Sequence, residues 1–300
     1  MKFKVVVESR IGGRSSNQDR ADWAHSDAAL LLVVADGMGG HRHGEVASRI
    51  AVEKLIELFR ARATPTLQDP ERFLTEAIGA AHKAINDYAA LRTIPRGDAP
   101  RTTCVACVVQ DGEATWAHVG DSRLYHLRKG RLLKRTLDHS RVQMLLDAGA
   151  ITPAEAENHP QRNLVLSCLG GDATPRIEVV RPMRLQQGDV LALCTDGVWA
   201  PLADRLLTGF SQPLPLAVPF LLDQAESIAG TGCDNLTLLA LRWESEPKPG
   251  TGDTQAMWAM KTLVQDFSAQ GGDIDLSDAE IDRAVTDIRD RITDQKPREN

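Results

Sequence analysis

Long apolar runs are missing from this 300-residue chain: the longest, Ala28 to Ala35, has eight residues, where a membrane-spanning helix needs roughly 18 to 20. A membrane span is excluded. The opening "MKFKVVVESR" has only three valines before Glu8 and Arg10, too short a core for a secretory signal, so a cytoplasmic location is expected. Cysteine is scarce and odd in number. Cys104, Cys107, Cys168, Cys194 and Cys233 sit mostly in apolar, strand-like surroundings, as reduced core thiols do, and disulfides are not expected. Cys104 and Cys107 are three apart, which on a strand puts them on opposite faces and makes them core residues, not a metal pair. Lysine and arginine form no block that stands out from the background, so the electrostatic footprint of a nucleic-acid binder is missing.

What the chain does have is a near-neutral body and an acidic tail. Residues 245–300 hold 12 acids and 7 bases, a balance of −5 out of −6 for the whole. Strand-like runs lie at Phe3–Glu8, Leu30–Ala35, Thr103–Gln110, Ala114–Val119, Arg123–Leu127, Ile177–Arg181, Val190–Cys194 and Leu236–Trp243, several joined by short turns such as "QDGE" and "RKGR", the pattern of antiparallel hairpins. Two helical patterns interrupt them. One runs from Glu45 to about Ala61 and the other from Pro70 to about Leu91, each with apolar residues at helical spacing. This predicts an α+β fold of face-to-face sheets with helices outside. The expected domain is 1–244, followed by a Pro- and Gly-rich linker over 245–256 and an acidic helical extension over 257–300. There, Ser277 caps a run with Ile281, Val285, Ile288 and Ile292 on one face, and Met257, Met260, Val264 and Phe267 form an earlier stripe. Such helices either dock back on the domain or serve a partner.

The informative feature is where the acids fall. "LLLVVADGMGGHRHGE" drives an apolar strand into Asp36 and then strips away side chains; "TDG" at Asp196 follows another strand, "CDN" at Asp234 precedes one, and Asp19 stands before a strand-like stretch at Asp22–Ala24. Each alone is an ordinary turn. Together they place four carboxylates where antiparallel sheets could gather them at one rim, and neighbouring carboxylates need countercharge. Oxygen ligands without a histidine cluster at ligand spacing or a cysteine quartet point to a hard ion, Mg²⁺ or Mn²⁺. The glycines after Asp36 leave room for a backbone carbonyl, water and substrate. Two such ions roughly 3.5 to 4 Å apart suit in-line displacement at a phosphate ester, and Arg14 is the candidate to hold the phosphate, because guanidinium binds it bidentately.

The segments "GGRSSNQD", "VVADGMGGHRHGEVAS", "RTTCVACV", "HVGDSRLYHLRKG", "LDHS", "HPQRNLVLSCLG", "DVLALCTDG" and "CDNLTLLAL" occur in the order and approximate spacing of the metal-dependent serine/threonine protein phosphatases. Over about residues 5–243 the chain resembles the bacterial form of this PP2C-type, or PPM, family. The resemblance implies a four-layer α-β-β-α sandwich with a dinuclear Mg²⁺ or Mn²⁺ centre at one end. It also implies hydrolysis of phosphoserine and phosphothreonine in proteins by direct attack of a metal-activated water. By resemblance, Asp36 bridges both ions beside the carbonyl of Gly37, Asp196 and Asp234 complete one ion's ligands, and Asp19 belongs to the second ion's shell. Asp121 matches a third, weaker metal position, Arg14 the phosphate-binding arginine, and Ser140 to Asn163 the flap beside the site. The implied partners are phosphorylated proteins, opposite a serine/threonine kinase, with the enzyme acting as a monomer. Three departures stand out: Gln18 where the family often has Glu, Ala200 where some members add an acid for the third metal, and Met38 where animal members have a proposed general-acid histidine, which leaves His41 as a candidate. Gln18 and Ala200 keep open an alternative, a catalytically weak phosphoprotein-binding module of the same fold; hydrolysis of a small phosphorylated metabolite is another.

Overall fold

The run Leu30–Ala35 has no polar position, which in a sheet requires that both faces be covered. Both are covered in the computed structural model, which describes residues 1–38, 43–157, 159–244 and 259–261. Leu30, Leu32 and Val34 face a second sheet, packing with Val5, Val7, Leu191, Leu239 and Leu241. Leu31, Val33 and Ala35 face the other way, under Leu55, Phe59, Leu74 and Ile78 of two helices. The outer face of the second sheet, with Val6, Ala192, Cys194 and Ala240, is covered in turn by Val198, Leu221 and Leu222. Four layers result, helix, sheet, sheet, helix, as the resemblance implies. Cys104 belongs to the helix-side core and Cys107 to the core between the sheets, and both thiols are free and buried.

In chain order the elements are β1 (Lys2–Arg10), β2 (Asp19–His25), β3 (Ala29–Met38), α1 (Gly44–Arg62), α2 (Pro70–Leu91), β4 (Arg101–Thr102), β5 (Cys104–Gln110), β6 (Glu113–Val119), β7 (Arg123–Arg128), β8 (Arg131–Arg135), α3 (Arg141–Asp147) and α4 (Pro153–Glu157). There follow β9 (Glu178–Arg184), β10 (Val190–Cys194), α5 (Asp196–Leu202), α6 (Arg205–Thr208), α7 (Leu214–Ala229), β11 (Leu236–Glu244) and β12 (Ala259–Lys261). One sheet runs β12-β1-β11-β10-β7-β8; the other runs β2-β3-β5-β6-β9, with β4 paired to β3. Asp69 caps α2 by accepting from the Arg72 N–H, with Pro70 in the first turn, a standard start. The flap segment carries α3 and α4, and α3 is capped by Ser140, whose hydroxyl accepts from the Gln143 N–H at 3.2 Å.

Within the expected stripe of Met257, Met260, Val264 and Phe267, Ala259–Lys261 is not helical: it is a strand parallel to β1, Met260 opposite Val6. The open edge of β1 accounts for this, since an unpaired row of backbone groups recruits extended chain. The helix predicted from Ser277 to Ile292 lies outside the described residues, as does His41. No described helix is long and apolar enough to cross a membrane.

Candidate metal centre

Strand register gathers the acids of each sheet, and the face-to-face packing of the sheets brings the two sets together. In one sheet Asp19, opening β2, pairs directly with Asp36 near the end of β3. In the other, the end of β10 meets the start of β7 at Cys194 and Arg123, and meets β11 at Leu238. Asp196 just beyond β10, Asp234 just before β11 and Asp121 just before β7 therefore share one end of that sheet. The end of β1 also arrives there, Arg10 opposite Leu236, which delivers the turn that carries Arg14. All the acids expected from sequence stand at one rim, and Arg14 stands with them.

The rim is held by groups that sequence reasoning did not single out, although the quoted motifs contain all of them but Trp199. The Asp36 N–H donates to Thr103 Oγ1 at 3.0 Å, and its carbonyl accepts from Thr103 N–H and Thr102 Oγ1, both at 2.8 Å. Thr195, preceding Asp196, donates its hydroxyl to Asp19 Oδ2 at 2.8 Å. Asn235 clamps the Ile11–Gln18 segment at three points: its Oδ1 accepts from Gln18 N–H at 2.8 Å, while its amide donates to the carbonyls of Ile11 and Ser16 at 2.8 and 2.9 Å. Trp199 on α5 donates its indole N–H to the Asp121 carbonyl at 2.9 Å under the Arg123 guanidinium, 3.4 Å from the ring centroid. Arg123 is itself forked onto Asp138 at 2.8 and 2.7 Å. Polar side chains with one short backbone reach are hard to tell from ordinary turn residues until the register is known.

The glycines serve the site sterically. A Cβ on Gly37 would overlap the carbonyl of Gly44 at the start of α1, and one on Gly197 would overlap the carbonyl of Asn235. Glycine after each aspartate thus lets a neighbouring backbone press against the rim, a more direct reason than the clearance for substrate inferred from sequence. Gln18, the neutral departure, works through its main chain, whose carbonyl accepts from Gly37 N–H at 3.1 Å and from the Ser48 hydroxyl at 2.6 Å.

Electrostatically the rim is out of balance. Burial, then the neighbouring Asp196 and Asp234, push the Asp19 carboxyl up to about 7. Burial and Asp234 push Asp196 to about 6. Burial, then Asp196 and Asp138, push Asp121 to about 8. Asp36 is raised well above the usual carboxylate range by burial and then by Asp19 and Asp196. Against these stands Arg14, whose Nη2 lies 2.6 Å from Asp234 Oδ2, a pairing that holds its own proton more tightly. Arg14 is thus engaged by an acid of the rim. One exposed guanidinium does not offset this much negative charge. Asp19 Oδ1 is buried with no hydrogen-bond partner among the described residues, although buried carboxylate oxygens are normally satisfied. Carboxyl groups crowded until they hold protons, one of them with an oxygen that has no partner, are the oxygen donor set that Mg²⁺ and Mn²⁺ take by displacing those protons, so the residues present fit hard divalent ions. Asp36, Asp19, Asp196, Asp234 and the Gly37 carbonyl are the residues to hold them.

A sequence model of the family described as Protein phosphatase 2C matches residues 8–225. The serine/threonine protein phosphatase PstP of Mycobacterium tuberculosis (strain CDC 1551 / Oshkosh) is 34% identical over 233 residues, 75% of this chain and 42% of that protein. The chain therefore spans less than half of that relative's length. A serine/threonine phosphatase stp of Listeria monocytogenes serovar 1/2a is 36% identical over 187 residues, covering 62% of this chain and 73% of that one. Among solved structures, the crystal structure of the M. tuberculosis phosphatase PstP/Ppp superposes with a TM-score of 0.70 at 32% identity, over 82% of this chain and all of that one. The catalytic domain of PstP, crystallised with 2 manganese ions, gives 0.68 at 30% identity, over 81% of this chain and 99% of that one.

Proposed function

From a chain that belongs to the protein phosphatase 2C family, we propose an enzyme that hydrolyses phosphoserine and phosphothreonine in proteins with two Mg²⁺ or Mn²⁺ ions. The observation that carries this reading is the rim itself: Asp19, Asp36, Asp196 and Asp234 are brought together from both sheets with their charge unbalanced and Arg14 beside them. Asp36, with the Gly37 carbonyl beside it, would serve both ions, Asp196 and Asp234 would serve one of them, and Asp19 would belong to the shell of the other. Asp121 is assigned to a weaker third ion; Ala200 offers it no further ligand. When bound, the ions supply a polarised water as nucleophile and offset the charge on the phosphoryl oxygens. The protein's part is to hold the carboxylates in place through Thr103, Thr195 and Asn235, and to present Arg14 to the phosphate.

Arg14 has a side chain 58% exposed, so its fork is free to exchange the Asp234 carboxylate for a phosphate oxygen pair. Arg14→Ala should raise KM for a phosphoserine peptide by roughly 10-fold or more and change kcat less, which steady-state rates at saturating Mn²⁺ will show. A kcat loss with KM unchanged would remove Arg14 from ground-state phosphate binding.

The reading as a whole is tested by phosphate release from a phosphopeptide set beside small phosphate esters. Release that requires Mn²⁺, stops in EDTA and favours the peptides supports it. Equal or better turnover of a small metabolite ester moves the substrate class, and no turnover of either favours the binding-module alternative. Residues 1–244 are assigned as the phosphatase domain, 245–256 as linker and 257–300 as an extension. The enzyme is taken as a cytoplasmic monomer opposing a serine/threonine kinase, a location supported by its free thiols.

A further inference from the structure

Sequence spacing predicts no histidine-containing metal cluster, yet the sheet register makes one. His118 at the end of β6 lies directly across from Glu178 at the start of β9. His139, in the loop after β8, is brought to the same place by its backbone N–H, which donates to the Gly120 carbonyl at 2.9 Å. The two imidazole rings sit 4.5 Å apart, centroid to centroid, tilted by 31°. One donor atom from each of His118, His139 and Glu178 lies within 4.8 Å of the other two. His139 Nε2 and Glu178 Oε2 are 3.7 Å apart. His118 and His139 each lie in a segment quoted above, but their spacing from each other and from Glu178 matches no ligand motif.

We propose that His118, His139 and Glu178 form a binding site for a borderline divalent cation of the zinc kind, chemically distinct from the acidic rim and independent of the phosphatase reading. Two imidazoles and a carboxylate are a known zinc ligand set, with a fourth position left for water, and imidazole selects against Mg²⁺. Bonds of about 2.0 to 2.2 Å require the His139 and Glu178 donors to close by a few tenths of an ångström, and the remaining pairs, within 4.8 Å, by up to about 1.5 Å.

Two buried nitrogens point to a ligand. His118 is fully buried and its Nε2 contacts the Leu137 carbonyl at 2.7 Å. That contact fixes the proton on Nε2 and leaves the Nδ1 lone pair bare, the arrangement by which a backbone carbonyl orients a metal-binding histidine. His118 Nδ1 and His139 Nε2 are both buried without a hydrogen-bond partner among the described residues, although His139 is only 5% exposed. Burial holds both rings neutral and therefore able to ligate; His139 is pushed down to about 4 by burial, then by His118 and Arg176.

The local groups also set a cost. His139 Nδ1 accepts from the Gly120 N–H at a long 3.3 Å, so metal at Nε2 requires the ring proton on Nδ1 and gives up that contact. Arg176, 3.2 Å from the same Glu178 oxygen and mostly exposed, must swing into solvent. Occupancy would be felt at Gly120, next to Asp121, and at Ser140, where the flap begins.

The full chain, stripped with chelator, is titrated with Zn²⁺ against a chromophoric competitor, and separately with Co²⁺ while visible absorption is recorded. Wild type is expected to take up one more tight Zn²⁺ than His118→Asn or Glu178→Gln and to show the intense visible bands of low-coordinate cobalt. Each substitution should weaken that site by about 100-fold or more, since loss of a residue that merely orients a ligand already costs 10- to 100-fold. Unchanged Mn²⁺ uptake by both variants serves as the control for folding. Identical Zn²⁺ stoichiometry and affinity in all three proteins, or a wild-type cobalt spectrum with only weak six-coordinate bands, would overturn the site.

Discussion

Asp36→Asn is expected to lower turnover of a phosphoserine peptide by on the order of 10³-fold or more, a loss at least as large as removal of one preorganised charge-stabilising group from an active site. Asparagine keeps the size of the side chain and leaves intact the three backbone bonds that Asp36 makes with Thr102 and Thr103. The fold should therefore survive. What is lost is the carboxylate at the register position opposite Asp19, which has acids of both sheets around it. Because an ionised Asp36 is opposed by burial and by its neighbours, the metal-free variant should melt no lower than metal-free wild type, while the stabilisation gained from Mn²⁺ shrinks. Near-normal turnover at saturating Mn²⁺ would remove Asp36 from the bridging role.

The second large effect is an inverted response to pH in the absence of metal. Asp19, Asp121 and Asp196 have folded-state values of about 7, 8 and 6, against roughly 3.9 for an unfolded aspartate. The folded chain thus holds protons that the unfolded chain has released. Their contribution to stability is fully present below about pH 4 and is lost as pH rises through the folded values. In EDTA, the melting temperature should fall by roughly 5 °C or more between pH 5.5 and 8.5. With Mn²⁺ present the fall should disappear, because the ions replace the protons. Calorimetric titration at pH 6.5 in buffers of different ionisation enthalpy should show protons released on Mn²⁺ binding. A metal-free melting temperature that stays level or climbs across this range would show that the rim is not held together by protonation.

The layers were legible in the sequence because burial of both faces leaves its mark on composition: Leu30–Ala35 and Val190–Cys194 read as uninterrupted apolar runs, and Leu236–Trp243 as one broken only by Thr237 and Arg242. The acids were legible as well, since each stands within two residues of a strand end. Two kinds of feature escaped. Helix α7 (Leu214–Ala229) begins with prolines and carries Pro219 inside it, so local composition argues for a turn; burial of Leu221, Leu222 and Ala225 against the sheet overrides that preference. Strand β8 (Arg131–Arg135) is mostly exposed at the edge of its sheet and has no apolar signature. Contacts set by long-range register were equally hidden: Thr195 on Asp19, Asn235 across the Ile11 to Gln18 segment, and His118 opposite Glu178 each join residues that no local pattern connects.

Strand β1 opens the chain, yet its antiparallel partner is β11, Lys2 facing Glu244 and Arg10 facing Leu236. During synthesis the first strand must wait on the ribosome until nearly the whole domain has emerged, which makes its pairing a late, non-local step in folding. Asp234 and Asn235 leave the tunnel immediately before β11. The nascent polypeptide can bring Asp19 opposite Asp36 early, but the acidic rim is complete only when β11 zips into place beside β1.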